Sequence, residues 1–224
     1  MKINYQSQRD ALLQKGYSLP IGDTISEAWG LFKKDPGNLI IYSIIVMVVN
    51  VVISFIPIVG SLASLVLSPL FTAGFYIAGR KLDKGESINL NSLFGGFNVA
   101  SELIGPYVIM VVMVILGFIL LVIPGIYLSV AYLFVIPLAY FGSGMQPWDI
   151  LETSRKVISK NWFSFFGFVI VLGLINILGV IALGVGLLIT LPLTSIAFYV
   201  AFKRVFGFDG DTQSDSDIIY EELR

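Results

Sequence analysis

The sequence predicts an all-α fold: a polytopic transmembrane helical bundle of six spans, built as three hairpins with amphipathic interfacial helices on the cytoplasmic side. Composition, hydropathy and charge placement lead to it. Hydrophobic residues make up 56% of the 224 and charged residues only 13%, about half the charged share of a soluble globular chain. The mean hydropathy is +0.88, so lipid must stand in for water over much of the surface. The 14 basic residues are segregated: Lys2, Arg9, Lys15, Lys33 and Lys34; then Arg80, Lys81 and Lys84; then Arg155, Lys156 and Lys160; then Lys203, Arg204 and Arg224. Lys and Arg beside span ends stay in the cytoplasm. These four groups therefore mark the cytoplasmic side, and three connections without charge mark the far side.

A helix needs about 20 apolar residues to cross a ~30 Å hydrocarbon core. Segments 39–56, 61–79, 106–123, 126–142, 163–182 and 185–202 meet that need. The far turns, 57–60, 124–125 and 183–184, are short and carry Pro or Gly, where a helix stops and reverses. The segments are continuously apolar, whereas a transmembrane barrel strand would alternate. Six spans put both termini in the cytoplasm, with 1–20 as a polar segment and 207–224 as an acidic tail. Residues 1–20 hold no apolar stretch with a small-residue cleavage site, so the first span is expected to serve as its own insertion signal.

The interfacial helices precede the hairpins. Thr24-Ile25-Ser26-Glu27 has the form of a capping box. Ile25, Ala28, Trp29 and Phe32 follow at helical spacing, with Lys33 and Lys34 beyond. Ile150, Val157, Ile158 and Trp162 beside Arg155, Lys156 and Lys160 repeat the pattern, and Leu90, Leu93, Phe94 and Phe97 share the spacing in a Gly-containing segment. Such helices lie in the headgroup plane, either binding anionic lipid or anchoring the next hairpin. Lys33, Lys34, Arg80, Lys81, Arg155, Lys156, Lys160, Lys203 and Arg204 are the candidate headgroup contacts.

The chain also reads as repeated units, 21–82, 87–142 and 148–206. Pro69, Leu70, Phe75, Tyr76, Ala78, Arg80 and Lys81 match Pro192, Leu193, Phe198, Tyr199, Ala201, Lys203 and Arg204 at one constant spacing. Ile25 and Glu27 match Ile150 and Glu152, and the middle unit keeps the Pro137-Leu138 step. An even number of spans separates the outer copies, so they point the same way, unlike the inverted repeats of many transporters.

No ionisable residue falls inside the six segments, which argues against proton relays and ion paths. Among the neutral polar groups left, the candidate intramembrane contacts are Asn50, Ser64, Ser68, Thr72, Tyr76 and Asn176. The row Ser64, Ser68, Thr72, Tyr76 either lines a polar track or lets helices approach closely. Asn50 and Asn176 are expected to bond across helices. Pro69, Pro137 and Pro192 each free a carbonyl and are expected to kink their helices.

The chain contains no Cys and no His, which removes thiolate chemistry, the commonest general base and the commonest nitrogen ligand. No catalytic, cofactor or metal site is expected. Ser154 lacks a base to activate it, and Glu102 is a lone carboxylate. The acidic tail holds Asp209, Asp211, Asp215, Asp217, Glu221 and Glu222 against Arg224. It reads as a solvated end, with Ile218, Ile219 and Tyr220 as a possible contact.

Residues 146–206, and more weakly 21–82, resemble bacterial integral membrane proteins related to the membrane domain of glycerophosphoryl diester phosphodiesterases. The likeness lies in Asp149, the Ser154-Arg155 step, Lys160-Asn161-Trp162 at the start of a span, a Gly-rich turn and the Pro192 helix. It implies a six-span module of the bacterial inner membrane and brings no phosphodiesterase chemistry. The resulting expectation is a non-enzymatic membrane-organising or complex-forming module. Its partners would be membrane lipid and another membrane protein or a second copy, with no nucleic acid. A transporter or channel for a small neutral or amphiphilic solute is the alternative.

Overall fold

The computed structural model describes residues 5–208 apart from 57, 143 and 183. Lys2, most of the acidic tail, and the turn residues Pro57 and Leu183 lie outside the described residues. Among those described there are eleven α-helices, one 3₁₀ segment and no strand. Six helical stretches are long and apolar enough to cross a membrane.

Helix α1 (Tyr5–Lys15) is folded against the bundle rather than forming only a polar lead-in. Tyr5 is fully buried and meets Phe202 and Phe206 edge-on at 5.5 and 5.2 Å. Helix α2 (Ile21–Phe32) follows Pro20 and buries Thr24, Ala28, Leu31 and Phe32. The expected capping box does not form. The helix starts a turn earlier, and the Thr24 hydroxyl, inside the first turn, donates to the Pro20 carbonyl at 2.8 Å.

Three hairpins follow. The first pairs α3 (Pro36–Ser54) with α4 (Val59–Asp83). Asp35 caps α3 by accepting from the Asn38 amide, and Pro36 occupies the first helical position, where a missing N–H costs nothing. A one-turn helix, α5 (Leu90–Leu93), and a 3₁₀ segment, Phe94–Val99, then lead to α6 (Ala100–Leu120). The four positions expected on one short helix are thus divided between α5, with Leu90 and Leu93, and the 3₁₀ segment that holds Phe94, Gly95-Gly96 and Phe97. Gly96 is needed there because a Cβ would collide with the Leu70 carbonyl of α4.

The fourth span is two helices, α7 (Val122–Ala131) and α8 (Val135–Phe141), where one was expected. The break at 132–134 lies just before Pro137, whose ring displaces the carbonyl four residues back. By contrast α4 runs through Pro69 without a break, and α11 (Leu187–Phe206) runs through Pro192. Between these come α9 (Pro147–Lys160) and α10 (Trp162–Ile181), the latter paired with α11.

Each hairpin has an outer and an inner helix. In their most apolar stretches the first helices bury 17, 17 and 22% of positions and the second helices 56, 50 and 50%. The three Pro-Leu steps all sit on the inner helices and are buried: Pro69-Leu70, Pro137-Leu138 and Pro192-Leu193. The interior is filled with rings. Phe134 packs edge-on against Phe165, Phe202 and Phe206 at 5.3, 5.5 and 5.9 Å.

Burial is confined to the charged end. Across 44–68, 111–129 and 173–191 the only buried described residues are Gly60, Gly117, Gly125 and Gly179. Each lies where the two arms of its own hairpin touch: Gly60 against Ile53, Gly117 against Gly125, and Gly179 against Gly186 and Thr190. Small residues let apolar helices approach closely where no hydrophobic drive exists between them.

Between the first and third hairpins, Gly79 of α4 sits on Tyr199 of α11, where a Cβ would lie 2.6 Å from the ring. Tyr199 is fully buried and has nowhere to retreat. Gly79→Ala is therefore expected to lower stability in detergent by about 1–3 kcal/mol through overpacking. Gly30→Ala, with open space around it, should be neutral or slightly stabilising; thermal unfolding of both variants measures the difference.

Candidate functional site: the charged end of the bundle

Opposite the hairpin tips, α2, α4 and α11 converge on a set of charges. Lys203 Nζ reaches Asp83 at 2.8 Å and Glu27 at 3.1 Å. Arg204 holds the second Glu27 oxygen at 2.7 Å, and the Tyr199 hydroxyl donates to Asp83 at 3.1 Å. Arg80 lies 3.8 Å from Asp83, and its guanidinium sits 3.9 Å above the Phe208 ring. These charged side chains are 15–27% exposed, enough burial to strengthen the pairs beyond those of open surface without full desolvation. Charge is nearly balanced, with three cations against two carboxylates. The network ties three helices together and leaves Lys203 and Arg204, offered by the sequence as headgroup contacts, facing protein carboxylates.

The other candidate cations divide. Lys34 donates to the Leu82 carbonyl at 2.8 Å, which brings the end of α2 against the end of α4. Lys33 stands 6.0 Å over the Trp29 ring. Arg155 grips Glu152 with two hydrogen bonds of 2.9 and 2.8 Å, and Lys156 adds a contact at 3.2 Å. The Arg155 hydrogen bonds hold the Glu152 carboxyl below the ordinary glutamate range and raise Arg155 in turn. Lys81, Lys84 and Lys160 make no ion pair among the described residues, and Lys33, Lys84, Lys156 and Lys160 are exposed.

Helix α9 does not offer its apolar stripe to a headgroup layer. Ile150, Leu151, Thr153, Ser154, Val157 and Ile158 are buried against α1, α6, α7 and α8. It runs antiparallel to the broken inner helix. Ser154 sits at the break, donating to the Ala131 carbonyl at 2.8 Å and accepting from the Phe134 amide at 3.2 Å. A turn later Ser159 meets the Tyr127 hydroxyl at 2.6 Å, and the Trp162 indole donates to the Tyr127 carbonyl at 3.3 Å. Ser154 thus supplies the hydrogen bonds that the interrupted helix lacks. The Tyr17 hydroxyl donates to the Val157 carbonyl at 2.8 Å, and burial pushes this phenol upward.

The intramembrane polar residues do not come together. Asn50 lies exposed on the outer helix α3 and donates to its own Val46 carbonyl at 2.8 Å, not across helices. Asn176 does bond across, to Thr194 of α11 at 2.9 Å. The Thr72 hydroxyl returns to the Ser68 carbonyl, Ser64 and Ser68 are half-buried, and Tyr76 is buried in the core. Sequence reasoning missed Glu27, Asp83 and Tyr199 as network members. Glu27 resembled a cap residue, and only the alternation of signs over 80–84 hinted that Asp83 is paired. No family model, curated protein or solved structure matches this chain.

Ser154→Ala is expected to leave the Phe134 amide and the Ala131 carbonyl without partners, at about 1–3 kcal/mol. Hydrogen exchange at the Phe134 amide should rise in Ser154→Ala and stay slow in Ser154→Thr.

Proposed function

We propose that this chain is a non-enzymatic multi-pass protein of a bacterial inner membrane, with both termini cytoplasmic. In this role it organises membrane or serves as the membrane part of a complex, contacting anionic lipid through its charged end. The observation that carries the reading is the division of the molecule: a packed end with exposed lysines, and an apolar end whose tips hold no charge. Cationic side chains near a cytoplasmic leaflet are each worth about 1 kcal/mol against anionic lipid. The resemblance of 146–206 to bacterial membrane modules and the Pro-Leu steps of three repeated units support the same assignment. The most nucleophile-like position, Ser154, is taken up by backbone bonds. The candidate polar track is interrupted, since Asn50 faces outward and Tyr76 lies in the ring-filled core.

One observation favours the alternative of a transporter for a small amphiphilic solute. Asn176 Oδ1 and Thr190 Oγ1 are buried and have no hydrogen-bond partner among the described residues. A solute donor group would satisfy them.

Orientation is checked with single cysteines, since the chain has none of its own. In intact cells Val185→Cys should react with an impermeant maleimide and Lys84→Cys only after permeabilisation; the reverse pattern removes the assignment. For lipid contact, nanodiscs with mixed headgroups should show phosphatidylglycerol enriched around the protein. Changing Lys33, Lys84, Lys156 and Lys160 to Gln should abolish that enrichment. Equal headgroup ratios before and after substitution contradict the reading.

A further inference from the structure

The middle hairpin can be levelled against the third where the two touch. Helix α10 begins at Trp162, whose indole donates to the Tyr127 carbonyl at 3.3 Å and stacks on the Tyr127 ring at 6.3 Å. The Tyr127 hydroxyl meets Ser159, in the last turn of α9, at 2.6 Å. Tyr127 is therefore level with the charged end of α10. From Trp162 the third hairpin runs to Ile181, about 28 Å at 1.5 Å per residue, which matches a ~30 Å hydrocarbon core. From Tyr127 the middle hairpin has only the stretch back to its reversal at Leu121, about 9 Å. Even with the reach of a tryptophan side chain added, that is about half of the core.

A second landmark agrees. Phe134 packs on Phe165, Phe202 and Phe206 at the charged ends of α10 and α11. From Phe134 to Leu121 is about 20 Å of helix, against about 28 Å from Phe206 to Leu187.

Helix α9 fixes how much of the middle hairpin can enter lipid. Its first residue, Pro147, faces Gly105 of α6, and its last turn meets Tyr127. It carries Asp149, Glu152, Arg155, Lys156 and Lys160, and Lys156 and Lys160 are exposed. A charge at the bilayer centre costs about 3 kcal/mol or more, so α9 and the part of the hairpin beside it stay out of the hydrocarbon. What projects past α9 is the tip, where Val112, Ile115, Ile119, Leu120 and Ile123 are 49–79% exposed. On α10 the exposed apolar residues instead extend from Phe163 to Ile181.

We propose that the middle hairpin is re-entrant: α6 and α7 enter from the cytoplasmic side, reverse at Leu121 among the acyl chains of the cytoplasmic leaflet, and return, while the first and third hairpins cross. Both termini stay on one side, and a wedge of this depth enlarges one leaflet and not the other. The leaflet named rests on the orientation proposed above; the shallower tip does not.

Nitroxides attached to Val59→Cys, Ile123→Cys and Val185→Cys, in a chain with no other cysteine, test this in proteoliposomes by power saturation. At Val59 and Val185, collisions with a water-soluble nickel chelate should dominate. At Ile123 the chelate effect should be lost and oxygen should dominate, as at the centre of a bilayer. Equal chelate access at all three tips places Leu121 at the far face and overturns the proposal, leaving the orientation intact. In intact cells an impermeant maleimide should reach Val185→Cys and not Ile123→Cys. Reaction of Val185→Cys only after permeabilisation removes the orientation and the cytoplasmic leaflet with it, whereas unequal depths of the two tips would still stand.

Discussion

The contact on which this bundle depends is the seating of Tyr199 on Gly79. It brings an inner helix of the first hairpin against an inner helix of the third without an intervening side chain. The ring's position places its hydroxyl on Asp83, Asp83 then orients Lys203, and Lys203 with Arg204 captures Glu27 from α2. Apolar packing thus sets the geometry, and the charges are arranged around it. The order matters, because half-buried ions are stabilising only when their partners are already in place. A looser helix crossing would leave the same residues as ordinary solvated surface charges.

A second constraint is set by the apolar surroundings, where an unpaired backbone group costs several kcal/mol. The chain meets it locally wherever it can. The hydroxyls of Ser43, Thr72, Ser129 and Ser195 and the amide of Asn50 all donate to carbonyls three or four residues earlier in their own helices. At the break before Pro137 the help comes from another element, and α9 supplies it through Ser154. That need explains why α9 climbs alongside α7 and α8. Its apolar stripe, which alone would suit a membrane surface, is what fastens Ser154 to the gap.

Those two constraints also separate what the sequence disclosed from what it hid. Six apolar stretches and their pairing follow from length and hydropathy, but the middle hairpin reverses at Leu121 and not at the expected Pro124-Gly125, which lies in the first turn of α7. The three Pro-Leu steps were legible as equivalent positions, and all three are buried on inner helices. The destination of an amphipathic stripe was not legible, because a face that packs on protein and a face that packs on lipid have the same periodicity. The Thr24–Glu27 spacing misled for a similar reason. A glutamate three residues after a threonine satisfies the capping pattern whether its carboxylate turns back to the helix start or outward to Arg204. Asn50 was expected to need a partner helix, yet one donor bond to Val46 is available to any helical Asn without one.

The two ends of the molecule consequently obey different rules. At the charged end, side chains from α1, α2, α4, α8, α9, α10 and α11 and from the break before α8 fill the space, and burial of rings such as Phe134, Phe165 and Phe202 stabilises one arrangement by dense packing. Toward the tips, the two arms of each hairpin meet at glycines, and large residues such as Phe55, Ile123 and Ile181 are 70–80% exposed. In water such a surface would drive association. In a bilayer it requires nothing further, since acyl chains are as apolar as leucine and contribute no hydrophobic penalty for separation. The hairpins pack together at the charged end, the base of the bundle, and present exposed apolar residues toward their tips. The base is where position is determined, and it is also where the exposed lysines are found.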